Sequence, residues 1–382
     1  MSLSNHDVVE LTAWRRLLHQ QPEISNAEQN TAAAVVAFLR DTDPDRVLTG
    51  LGGHGVALVY NGAGPGPTVL FRCELDALPI EELSGVAHAS LVPGTSHMCG
   101  HDGHMAILAG LGRRLGRKRP ARGRVVLMFQ PAEETGDGAA AVVADPRYQE
   151  LAPDYAFSLH NLPGVPLGDV RLKAGTVNCA SRGMRVRLKG KTAHSSMPET
   201  GTSPRLAVAE LITAFPGLGR ATFADDGFRM VTVTHATMGE AVFGIAPGQA
   251  EVWACLRTRQ DDAMASLCQA AEQLVAETAG ASGLDHAVSY HEIFVASVNA
   301  EDAVDHLRQA LDKEGISHSE EALPMRASED FGLFGRSASS AMFFLGAGEA
   351  HPSLHNPDYD FPDDLIPIGV RVFARVADTL LG

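Results

Sequence analysis

The sequence predicts an α/β protein with a largely parallel central sheet, interrupted by an inserted βαββαβ, ferredoxin-like domain. Three observations carry this. Between about residues 55 and 161, apolar β-branched runs alternate with helical stretches, the pattern of a parallel sheet with crossover helices. From about residue 183 the order changes to strand, helix, two strands, helix, strand. After about residue 296 the first pattern resumes, so an insertion explains the order more simply than three domains in a row. Residues 1–182 and 296–382 are thus expected to form one domain and 183–295 another.

The elements follow in chain order. Val8, Val9, Leu11, Trp14, Leu17 and Leu18 recur at helical spacing, and an Ala-rich stretch from Glu28 to Arg40 reads as a second amphipathic helix. Strands are expected at 55–60 (GVALVY), 68–80 (TVLFRCELDALPI), 124–130 (RVVLMFQ) and 155–161 (YAFSLHN), with helices at about 102–118 and 138–145. The Gly/Pro-rich GAGPGP at 62–67 is a connection between strands. Within the insertion, GMRVRLKG, RMVTVTHA, AEVWACLRT and HAVSYHEIF alternate as strands do, while SPRLAVAELITAF and DDAMASLCQAAEQLVAETA are helical. A helix near 301–315, an apolar strand at 340–346 and a helix from about 363 close the chain. In such a sheet, functional residues belong at the carboxyl ends of the strands.

Composition narrows the function. Of 382 residues, 45% are hydrophobic and 20% charged, which argues against disordered or fibrous architecture. Lys plus Arg number 31 against 46 Asp plus Glu, and a net charge of −15 argues against nucleic acid as a partner. No apolar run reaches the ~18 residues of a membrane span, and the first residues lack an apolar signal core, so a cytoplasmic location is expected. The five cysteines are odd in number and thinly spread, which suits thiols or ligands rather than a disulfide framework.

The densest group of potential ligands is HMCGHDGH, residues 97–104. Cys99 and His101 offer a thiolate and an imidazole two positions apart, with Gly100 and Gly103 relaxing the backbone between and after them. No Cys-x-x-Cys pair follows, so the remaining ligands of such a site come from distant parts of the chain. Glu133 and Glu134 fall just after a strand that Pro131 ends. Adjacent carboxylates point different ways, so one can hold a metal while its neighbour acts as general base. His160 and His355 stand in two separate Leu-His-Asn triplets, one at a strand end and one in a Pro-flanked loop.

Six segments occur in one order: HMCGHDGHMAILAG, FQPAEETGDGA, SLHNLPGVPLGDV, GKTAHSSMPETGTSP, SEDF and LHNPDYDF. In these the chain resembles the metal-dependent amidohydrolases that include hippurate hydrolases, N-acyl-amino-acid hydrolases and plant auxin-conjugate hydrolases, relatives of aminoacylase and bacterial glutamate carboxypeptidase. The resemblance spans about residues 10–380. It implies a catalytic domain holding two divalent metal ions (Zn, Mn, Co or Ni) and an inserted lid or dimerisation domain that makes a homodimer. Matched motif by motif, it makes Cys99, His101, Glu134, His160 and His355 the metal ligands and Glu133 the general base. His194 matches the histidine that reaches the active site, in its own or the partner subunit, to polarise the scissile carbonyl.

The implied reaction is hydrolysis of the amide of an N-acyl amino acid or related small amide by a metal-activated water. Alternatives are a dipeptidase or carboxypeptidase with the same machinery, a catalytically silent metabolite-binding relative, and a metal-free hydrolase with Cys99 as nucleophile. Two positions depart from the family pattern. Glu74 stands where Arg-x-Asp-x-Asp has its first Asp, and Gly244 stands where Asn-Val-Ile-Pro has its Asn. The first bears on how a metal ligand is oriented, the second on substrate choice.

Overall fold

The structure is a computed structural model and describes residues 3–225 and 227–382. The chain divides into two compact units. The first comprises the residues up to Val177, Ser297–Pro324 and Asp330–Gly382, and the second Asn178–Ala296 with Met325–Glu329. The second unit begins at Asn178 rather than 183, because the strand Ala180–Lys189 starts ahead of the alternating residues that mark it in the sequence.

The first unit is built on an eight-stranded sheet. Strands β1 (Arg46–Leu51), β2 (Gly55–Asn61), β3 (Thr68–Glu74), β4 (Arg124–Gln130) and β5 (Tyr155–Pro163) lie in the order β1-β2-β4-β3-β5, followed by Ser339–Gly348, Val170–Arg171 and His318–Ser319. The four central strands β4, β3, β5 and Ser339–Gly348 run parallel, as expected for almost wholly apolar runs covered on both faces. Antiparallel pairings of β1 with β2, β2 with β4 and Ser339–Gly348 with Val170–Arg171, and a parallel pairing of His318–Ser319 with Val170–Arg171, finish the sheet.

Helices α1 (Asn5–Gln20), α2 (Gln29–Leu39) and α3 (His101–Arg117) precede and follow the first strands, and Leu365–Leu381 closes the chain. α3 is buried along most of its length, packed against α1, the last helix and β3. The core here includes Leu11, Val35, Phe71, Ile107, Leu127, Phe157, Phe343 and Phe373.

β3 stops at Glu74 rather than running on to 80. Its last ladder partner is Gln130, the end of β4, beyond which Pro131 donates no hydrogen bond. Residues 75–80 therefore leave the sheet and are free to turn a side chain toward α3.

The second unit holds a four-stranded antiparallel sheet in the order Arg229–Met238, Gln249–Thr258, Ala180–Lys189, Asp285–Phe294. Helices Arg205–Ala214 and Asp261–Ala281 connect these strands in the expected βαββαβ order. Leu211, Leu267, Ala271 and Val275 from the helices meet Val186, Leu188, Val252 and Leu256 from the sheet in its core. Among the described residues, no helix is long and apolar enough to cross a membrane.

Candidate metal centre

The carboxyl ends of the parallel strands carry the predicted groups. Glu133 and Glu134 follow β4, His160 lies in β5, and His355 follows Ser339–Gly348. Cys99 and His101 stand at the start of α3. Gly100 opens this helix at φ 84°, and a Cβ there would lie 2.5 Å from Asn161 Nδ2 and 2.6 Å from the Tyr359 hydroxyl. Only glycine fits that entry, which presents Cys99 and His101 to the same side.

Ligand atoms of three overlapping sets approach one another within 4.8 Å: Cys99, His101 and His160; Cys99, Glu134 and His355; His101, Glu133 and Glu134. Individual separations are 3.3 Å from Cys99 Sγ to His160 Nε2, 3.6 Å from His355 Nε2 to Glu134 Oε1, and 4.0 Å from His101 Nε2 to each glutamate. Bonds of about 2.0–2.3 Å to a shared first-row ion put two ligand atoms about 3–4.5 Å apart, so the spacing suits an ion. His101 Nε2 and Glu134 Oε1 are buried with no hydrogen-bond partner among the described residues. Such atoms are costly to bury unless something binds them. This donor set, a thiol, imidazoles and carboxylates, fits a divalent transition metal.

The tautomers agree. His101 Nδ1 lies 2.9 Å from the carbonyl oxygen of Asp76 and His160 Nδ1 lies 2.7 Å from that of Asn161, so each donates there and turns Nε2 inward. Burial and the neighbouring His104 hold His160 down to about 3, which keeps it neutral. Burial also opposes charge on His101, but its hydrogen bond to Asp76 and the carboxylates Glu74, Asp76 and Glu134 outweigh it and raise the pKa to about 10. A cation at Nε2 competes with that proton. Burial, then Glu134 and Glu133, push the Cys99 thiol well up. That removes the thiolate a metal-free cysteine nucleophile needs, whereas a bound cation restores it.

Residues other than the predicted ligands hold this frame. Asp76, on the segment that leaves β3, accepts from Ser25 Oγ at 2.7 Å and from the Glu134 backbone N–H at 2.9 Å, and its other oxygen lies 3.6 Å from His101 Nδ1. Asn161 donates to the Cys99 carbonyl at 2.7 Å and accepts from the Tyr359 hydroxyl at 2.8 Å. Glu74 does not touch a predicted ligand through its hydrogen bonds. It accepts from His104 Nδ1 at 2.6 Å and pairs with Arg72, while the Asn161 N–H donates to His104 Nε2 at 3.1 Å. The longer arm of Glu74 thus acts on His104, one turn beyond His101.

His355 adopts a left-handed φ of 65°, a conformation few non-glycine residues take, and its N–H donates to the Met98 carbonyl at 2.8 Å. His194 belongs to the second unit, where it is exposed and paired across a short ribbon with Ile245. Its Nδ1 accepts from Ser196 Oγ at 2.8 Å and from the Ser196 N–H at 3.2 Å, leaving the ring proton on Nε2. A side chain at Gly244, beside this ribbon, would meet nothing within 4 Å, so the departure there is not forced by crowding.

The model of peptidase family M20/M25/M40 matches residues 70–379. The chain belongs to that family. The resemblance read from six ordered motifs holds at this level, and the protein is a hydrolase acting on amide bonds. An N-acetyldiaminopimelate deacetylase of Bacillus velezensis is 28% identical over 96% of this chain and 99% of its own length. An IAA-amino acid hydrolase of Arabidopsis thaliana is 28% identical over 96% of this chain and 86% of its own. The crystal structure of a dinuclear metal binding peptidase from the M20 family of Bacillus subtilis superposes with a TM-score of 0.82 at 24% identity, covering 99% of each chain. That likeness establishes the fold of this M20 chain.

Proposed function

We propose that this M20 protein hydrolyses the amide of an N-acyl amino acid, with two divalent metal ions held by Cys99, His101, Glu134, His160 and His355. The observation that carries the reading is the convergence of these five groups, with His101 Nε2 and Glu134 Oε1 buried and unsatisfied. Cys99 belongs to both the set with His101 and His160 and the set with Glu134 and His355, which supports two ion positions rather than one. The names of the deacetylase and amino acid hydrolase relatives support the substrate class.

Bound there, the ions supply Lewis-acid polarisation of the carbonyl and make a water acidic enough to attack near neutral pH. Glu133 takes the proton from that water and delivers it to the departing nitrogen. Glu134, fixed through its N–H on Asp76, serves as ligand and not as base. His194, with its proton on Nε2, donates to the oxygen on which negative charge develops. We place this reaction in the cytoplasm, which suits five free cysteines, and in a homodimer joined through the second unit, whose sheet ends in the edge strands Arg229–Met238 and Asp285–Phe294. A monomer by light scattering with full activity contradicts the dimer.

Turnover of N-acetyl, N-benzoyl and longer N-acyl amino acids beside free dipeptides, each with Zn, Mn, Co and Ni, tests the substrate class. The N-acyl substrates are expected to exceed dipeptides at least about 10-fold in kcat/KM, a difference of ~1.4 kcal/mol in the transition state. Faster cleavage of dipeptides would contradict it.

A further inference from the structure

The buried face of α1 carries Arg15 and His19, and neither takes part in the chemistry above. Arg15 is fully buried. Its Nε donates to Asp363 Oδ1 at 2.9 Å, and its Nη1 donates to Asp360 Oδ1 at 2.6 Å and to Asp102 Oδ2 at 3.2 Å. His19, one turn further, reaches the same Asp102 Oδ2 through Nδ1 at 2.9 Å.

The carboxylates come from two places. Asp102 directly follows His101 at the start of α3, while Asp360 and Asp363 follow His355 in a stretch with no helix or strand between Gly348 and Leu365. That stretch belongs to no sheet ladder: the His355 N–H bond to the Met98 carbonyl and the Leu83 N–H bond to the Pro357 carbonyl hold its middle, and its later part is tied through the Asp360 and Asp363 carboxylates. A buried guanidinium is tolerated only when its partners close on it, which makes each ion pair depend on the others. The forked geometry also sets direction, which the point charge of a lysine does not.

We propose that Arg15 is a positioning residue for the metal centre: its buried fork clamps the loop carrying His355 onto the start of α3 and so sets the spacing of His355 from Cys99 and His101 before an ion binds. The inference rests on the metal centre proposed above.

Co²⁺ binding to the full-length protein, stripped of metal and followed by absorption, tests it in wild type, Arg15→Lys, His355→Ala and the double variant. Arg15→Lys is expected to weaken Co²⁺ binding about 10-fold or more, the usual scale for groups that orient ligands. In the His355→Ala background the same change should cost less than about 2-fold, because no His355 is left to misplace. Equal losses in both backgrounds, or none, would overturn the proposal, since a merely structural arginine gives additive effects. If circular dichroism shows Arg15→Lys unfolded, Asp363→Asn replaces it in the same cycle under the same two criteria. Wild type without Co²⁺ binding, or His355→Ala with undiminished binding, would overturn the metal centre and this inference together. A loss in His355→Ala with no coupling to Arg15 removes this inference alone.

Discussion

Glu133 and Glu134 are neighbours in sequence and equidistant from His101 Nε2, at 4.0 Å, and the proposed reaction gives them different tasks. Glu133→Gln is expected to lower kcat about 100-fold or more while metal content by mass spectrometry stays near wild type, because the amide keeps the shape and loses the basicity. Glu134→Gln should instead lose metal. Equal metal loss in both would contradict the division. His194→Ala should lower kcat about 100-fold with a smaller change in KM, as expected for a lost oxyanion donor; retention of more than about half of kcat would exclude that role. Cys99, His101 and the two glutamates could be read in the chain because glycines and a strand-ending proline sit beside them. The tasks of Asp76 and Asn161 could not, since each acts on residues distant in sequence. A signal for Arg15 and His19 does exist: they lie four apart on a helix face shared with Leu11, Trp14 and Leu18, where polar groups need partners.

The first helix illustrates what an element's end contributes. Ser4 and Asp7 form a reciprocal cap, with Asp7 accepting from the Ser4 N–H at 2.9 Å and its Oγ at 2.7 Å. Asp7 also accepts from Arg117 Nη1 at 2.7 Å, which ties α1 to the end of α3. That hydrogen bond from Arg117, against the opposing effect of burial, holds the Asp7 carboxyl well below the usual carboxylate range. A lowered pKa in the folded state means stability that is complete above the unfolded value of about 4 and lost as pH falls toward the folded one. Asp7→Asn should therefore cost about 2 kcal/mol at neutral pH in urea melts, with the gap to wild type narrowing below about pH 4. A gap that stays constant on acidification would contradict the ionic contribution. Long periodic elements such as α3 and β4 were readable from their spacing. The two-residue strands Val170–Arg171 and His318–Ser319 carry no periodicity, and the end of β3 at Glu74 depends on where β4 stops.

Across the whole molecule, the change of pattern near 183 and its return near 296 reveal one fold threaded through another, because a βαββαβ run closes its own sheet and leaves the flanking strands to pair elsewhere. The antiparallel pairings beside the parallel strands were not readable, since an apolar strand looks alike in either direction. Every predicted ligand group falls in the first unit, brought together from positions 99 to 355 by parallel strands that end on one side. The central claim is that these groups hold metal for amide hydrolysis. Its most direct test is hydrolysis of an N-acyl amino acid by one preparation, measured as purified, after exhaustive chelation, and after return of Zn²⁺, Mn²⁺, Co²⁺ or Ni²⁺ with bound ions counted. The claim predicts that chelation abolishes turnover and that activity returns in step with binding, reaching its maximum at about two ions per chain. Turnover unchanged by complete removal of metal would contradict it.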